Sequence, residues 1–112
     1  MDLEVTELGN VAKIALVGRL DTPGVDRIEM RFTASVVPKA RNALVDLSAV
    51  TFISSMGLRL LISTARALNL KRAKMVLVGP QPLVKESLDH ASLGEIIPIA
   101  TDEAQGLVLL NS

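Results

Sequence analysis

The chain has 112 residues, enough to bury one hydrophobic core and too few for two, so a single domain over residues 1–112 is expected. Twelve basic and twelve acidic residues cancel to a formal net charge of zero, and Phe32 and Phe52 are the only aromatics, so neither a polyanion-binding surface nor a base-stacking platform is expected. Cysteine is absent and His90 is the single histidine, which excludes disulfides and thiolate metal sites and argues against a histidine-based one.

No apolar run approaches the ~20 residues that span a bilayer, and Asp2 and Glu4 stand where a secretory leader would carry positive charge. A cytoplasmic protein is expected, with no transmembrane segment and no direct contact to nucleic acid.

Leu3 to Leu8 and Val11 to Val17 partly alternate apolar and polar residues around Gly9-Asn10, two residues that tolerate the positive φ of a tight turn. They predict an opening β-hairpin, ended by Gly18. Thr22-Pro23 supplies a cap and a proline at the first helical position, where its missing N–H costs nothing. Val25, Ile28, Phe32 and Val36 share one face of this first helix, and Pro38 stops it.

Ala43 to Leu47 is a short apolar run that suits a buried strand. Asp46, near its end, has the chemistry of a catalytic carboxylate, but bonding to nearby loop amides is the expected role. Leu58, Leu61, Ile62, Ala65 and Leu68 then recur at helical spacing, so Ser54 and Ser55 stand where an amphipathic helix begins. The first N–H groups of a helix lack internal acceptors and carry partial positive charge. A serine there can be a cap, a nucleophile, a ligand-binding group or a phosphorylation site, and spacing alone favours the cap. Basic residues from Leu70 to Lys74 complement the dipole at the far end.

Met75 to Val78 is a second buried strand, and Gly79-Pro80-Gln81-Pro82 turns the chain into a third helix. Its expected stripe is Leu83, Val84, Leu88 and Ala91, with His90 on the exposed side and Gly94 as the C-terminal stop. Ile96 to Ile99 is a short last strand that Pro98 either places at a sheet edge or makes irregular. Thr101, with Asp102 and Glu103 behind it, opens a final helix that docks Leu107, Val108 and Leu110 on the sheet.

The order β-β-α-β-α-β-α-β-α predicts an α/β fold with a mixed sheet, antiparallel at the opening hairpin and parallel across right-handed helical crossovers. Leu44, Val45, Leu58, Leu61, Ile62, Val76 and Leu77 are the expected core. Ser55 lacks the flanking glycines of a nucleophile elbow, and no P-loop or dinucleotide-binding glycine pattern occurs. No enzymatic activity, cofactor or metal is expected.

Residues 46–61, DLSAVTFISSMGLRLL, resemble the signature of STAS domains, and specifically of the bacterial anti-sigma-factor antagonists. Gly57 and Leu58 match the family's Gly-Leu pair, Phe52 its apolar turn residue, and Gly18-Arg19-Leu20-Asp21 its Gly-x-Leu-Asp. The likeness continues through Val78-Gly79 and the third helix. It implies a STAS-like fold in which Ser55 is the phosphoacceptor. It also implies a partner surface of Asp21, Ser54, Ser55 and Met56 together with Arg59, Ser63 and Arg66, which are four and three residues apart and so share a helix face. The chain departs from the family twice, with Ser54 in place of the aspartate before the phosphoacceptor and Met56 in place of the small polar residue after it.

The resemblance further implies a partner switch. The unmodified protein binds an anti-sigma factor that is also a serine kinase, and so frees the sigma factor. Phosphorylation adds about −1.5 to −2 charges at the contact surface, and a serine phosphatase resets it. ATP belongs to the kinase. STAS domains without the full signature also serve as small subunits of lipid-transport ATPase complexes or as parts of signalling scaffolds, which is the alternative reading.

Overall fold

The computed structural model describes residues 1–111. In chain order it contains β1 (Asp2–Leu8), β2 (Val11–Leu20), α1 (Thr22–Ala34), β3 (Asn42–Ile53), α2 (Ser55–Leu70), β4 (Met75–Val78), α3 (Pro82–His90), β5 (Ile99–Ala100) and α4 (Glu103–Leu110). A 3-10 turn, Leu93–Glu95, joins α3 to β5. The strands form one sheet in the order β1-β2-β3-β4-β5, antiparallel between β1 and β2 and parallel at every other step. The expected element order and mixed sheet are therefore present.

Alternation along the central strands divides the interior. Val45 and Leu77 join the main core with Val25, Ile28, Phe32 and Val36 of the α1 segment and with the buried faces of α2 and α3. Leu44 and Val76 point to the opposite side, where a smaller cluster sits under Leu110 of α4. A Cβ on Gly106 would lie 2.6 Å from Cγ1 of Val78, so only glycine lets α4 approach this closely. A hydrogen bond and ion pair to Glu103 (2.7 Å) ties Lys13 of β2 to α4 and raises the Lys13 pKa.

Several boundaries differ from the sequence expectation. Gly18 bends β2 rather than ending it: with φ +110° it sits at a register irregularity, and pairing resumes to Leu20. β3 runs to Ile53 because its second half still pairs with β2, although Ser48, Ala49, Thr51 and Phe52 are exposed. In α2 the buried arc is Gly57, Leu60, Leu61, Thr64, Ala65 and Leu68, while Leu58 and Ile62 are half-buried flanks. Apolarity misplaced that arc because Gly57 and Thr64 are small enough to pack inside.

In α3 only Val84 and Leu88 are buried, and Leu83 and Ala91 face solvent. Ser92, with φ +53°, takes the left-handed position assigned to Gly94. The last strand shortens to Ile99–Ala100 at the sheet edge, where the Pro98 carbonyl accepts from the Leu77 amide at 3.0 Å. In α4 Leu110 is buried, Leu107 is half-buried and Val108 is exposed. Two caps lie one residue earlier or later than expected: Asp21, not Thr22, caps α1, and Asp102, not Thr101, caps α4. In both, the carboxylate reaches the amide three residues on, the reach that satisfies an orphan N–H. Among the described residues, no helix is long and apolar enough to cross a membrane.

Candidate functional site

β2 and β3 run parallel and finish level with one another, Leu20 opposite Ile53. The next residue of each chain segment caps a helix, Asp21 for α1 and Ser54 for α2, so two helix starts stand side by side at one end of the sheet. Each is seated by a glycine. A Cβ on Gly24 would lie 2.3 Å from the Arg19 carbonyl oxygen, and one on Gly57 would lie 2.6 Å from that of Leu20. Any other residue would push its helix off the end of β2.

The Leu20 carbonyl is the centre of the arrangement. It accepts from the Ser54 amide at 3.0 Å and from the Ser54 hydroxyl at 3.2 Å. That hydroxyl oxygen in turn accepts from the Gly57 amide at 3.3 Å. Ser55 differs from its neighbour. It is the first residue of α2, it is exposed, and among the described residues its side chain has no hydrogen-bond partner.

Asp21 accepts from the Gly24 amide at 2.9 Å and pairs with Arg19 at 3.2 Å. The Gly24 hydrogen bond first, and the Arg19 guanidinium second, hold its carboxyl below the usual range. Arg19 also lies over the ring of Phe52, its cross-strand partner, at 4.4 Å from the centroid. Phe52 is therefore a strand residue with a side open to solvent, not an apolar turn residue. The sequence of β3 alone could not reveal this contact, because it depends on the parallel register with β2.

Along α2, Ser55, Arg59, Ser63 and Arg66 follow at intervals of four, four and three, and all are exposed. Ser63 donates to the Leu60 carbonyl at 3.2 Å, leaving the two guanidiniums as the charged features of this face. Met56 is half-buried against the main core, so it contributes less to the outer surface than its neighbours. Beside Ser54, a hollow of about 260 Å³ separates the end of β3 from α3, lined by Thr51, Phe52, Ile53, Leu83, Glu86, Ser87 and His90. Asp46 accepts from the Ser48 amide at 2.9 Å, a local bond to its own strand β3 and not to the loop amides expected. His90 is exposed on α3.

Comparison with known proteins gives this geometry a context. The anti-sigma F factor antagonist of Lysinibacillus sphaericus is 25% identical over 91 residues, covering 80% of this chain and 78% of that protein. An anti-sigma factor antagonist from Mycobacterium paratuberculosis has the same fold, with a TM-score of 0.89 at 21% identity over 99% of this chain and 94% of that one. The Bacillus cell fate determinant SpoIIAA in its phosphorylated form gives a TM-score of 0.70 at 20% identity, over 93% of this chain and 96% of its own. The family model described as STAS domain matches residues 2–106, nearly the whole chain. The chain belongs to the STAS domain family.

Proposed function

We propose that this protein is an anti-sigma-factor antagonist that binds an anti-sigma factor with serine kinase activity and is released when that kinase phosphorylates Ser55. The observation that carries the reading is the contrast at the start of α2, where Ser55 offers an exposed, uncommitted hydroxyl beside the capping Ser54 and one turn before Arg59. The relatives named as anti-sigma factor antagonists, and a protein of this fold solved in a phosphorylated form, support it.

The chemistry of release follows from charge. The first α2 amides and the Arg59 side chain can solvate a phosphate on the free protein. An interface shaped around a hydroxyl has no matched cation for it, and an imperfectly paired interfacial charge costs about 2–5 kcal/mol, roughly 30- to 5,000-fold in affinity. The contact surface is Asp21, Ser54, Ser55 and the α2 face of Arg59, Ser63 and Arg66, with Met56 at its margin. A serine phosphatase returns the protein to its binding form.

The test is to incubate the protein with its cognate anti-sigma factor kinase and ATP, map the modified residue by mass spectrometry, and compare partner binding by wild type, Ser55→Ala and Ser55→Asp. Modification at Ser55, binding retained by Ser55→Ala and binding weakened in Ser55→Asp are the expected results. Equal binding by all three would remove the switch.

A further inference from the structure

Two adjacent serines open α2, and their hydroxyls are in opposite situations. A serine hydroxyl has one proton to donate and lone pairs to accept with. At Ser54 both functions are used, toward the Leu20 carbonyl at 3.2 Å and from the Gly57 amide at 3.3 Å. The side chain is also half-buried, whereas Ser55 is exposed.

We infer that Ser54 is the positioning residue of the switch: its doubly bonded hydroxyl both withholds Ser54 from the kinase and fixes Ser55 relative to Asp21. This rests on the reading of Ser55 as phosphoacceptor and specifies how the site is addressed. Phosphoryl transfer forms a bond from the serine oxygen to the γ-phosphorus of ATP, breaks the bond from that phosphorus to the bridging oxygen, and leaves ADP. The hydroxyl proton passes to a base of the kinase. At Ser54 the proton is already given to Leu20 and the oxygen already caps Gly57, so transfer there would undo both contacts. At Ser55 it undoes none.

The same hydroxyl has a mechanical role. Leu20 directly precedes Asp21, and Gly57 belongs to the helix that begins with Ser55, so the Ser54 side chain ties the strand carrying one contact residue to the helix carrying the other. The backbone bond from Ser54 to Leu20 holds the strand ends together without it. Loss of the hydroxyl therefore loosens the first turn of α2 rather than unfolding the domain.

The experiment compares wild type with Ser54→Ala and Ser54→Thr, using the cognate anti-sigma factor kinase with ATP and, without any partner, amide exchange at Gly57. Wild type is expected to carry phosphate on Ser55 alone. Ser54→Ala should exchange the Gly57 amide about fivefold to thirtyfold faster, the factor that loss of a cap commands. Its kcat for phosphorylation should fall by about tenfold with KM little changed, as misplacement of an acceptor does. Ser54→Thr should restore both. Phosphate on Ser54 in the wild type overturns the inference. So does a Ser54→Ala protein with a freed Gly57 amide and undiminished kcat, since Ser54 is then only a cap. A wild type that the kinase does not modify at all overturns the phosphoswitch reading itself, a result distinct from a wild type that is modified and indifferent to Ser54.

Discussion

Asp21 concentrates several contacts in one side chain, since it caps α1, pairs with Arg19 and immediately follows the carbonyl that anchors α2. The Gly24 amide and the Arg19 guanidinium both favour its charged form, so its folded pKa lies below the ordinary carboxylate value of about 3.9. A depressed pKa contributes stability above the unfolded value, and that contribution is lost as pH falls through the folded one. Urea melts of wild type and Asp21→Asn over a pH series should therefore show a stability gap that is full above about pH 4 and closes on acidification. A gap independent of pH would mean that only the cap geometry matters, because asparagine keeps an acceptor and has no carboxyl to titrate.

At the scale of the element, α2 has two faces with separable jobs. Leu61 is fully buried in the main core, and Leu61→Ala should cost about 2–5 kcal/mol in urea unfolding. A loss below about 0.5 kcal/mol would place it outside that core. On the opposite face Arg59 and Arg66 are exposed, so reversing both to Glu should leave the circular dichroism spectrum unchanged while weakening a pulldown of the anti-sigma factor. Undiminished capture would put the contact elsewhere. The amphipathic period located this helix and its start, and the serines at 54 and 55 were legible as a helix start carrying a cap. It did not reveal which of the two hydroxyls is committed, because both bonds of Ser54 depend on β2 arriving at the same place. The same limit explains Phe52 and the far end of β3, whose exposed residues pair with a strand distant in sequence. Leu83 departs from its expected burial for a simpler reason: within α3 the buried residues are Val84 and Leu88, and an apolar side chain can remain exposed at no great cost.

For the whole molecule, the site sits at the far end of the β2–β3 pair, beyond Val17 and Asp46, where the pairing of β2 to β1 and of β3 to β4 has stopped. A phosphate added at the exposed first residue of α2 displaces nothing from the core. The phosphorylated protein should thus melt within the ~4 °C that 1 kcal/mol commands in a domain near this size, while its partner dissociates. Calorimetry of the two forms checks this, and a larger fall in Tm would make unfolding rather than surface charge the means of release.

The hydrogen bond between Ser54 and Leu20 spans 34 positions of sequence. The two halves of the proposed contact surface are not brought together until the entire β2-α1-β3 crossover has closed, and such non-local parallel pairing is among the slower events of folding. On the proposed reading, a nascent chain that has exposed Asp21 but still holds α2 in the ribosome would be invisible to a partner. If the protein acts as proposed, binding would then be counted in finished molecules, and the delay between translation and competence would enter the timing of the response.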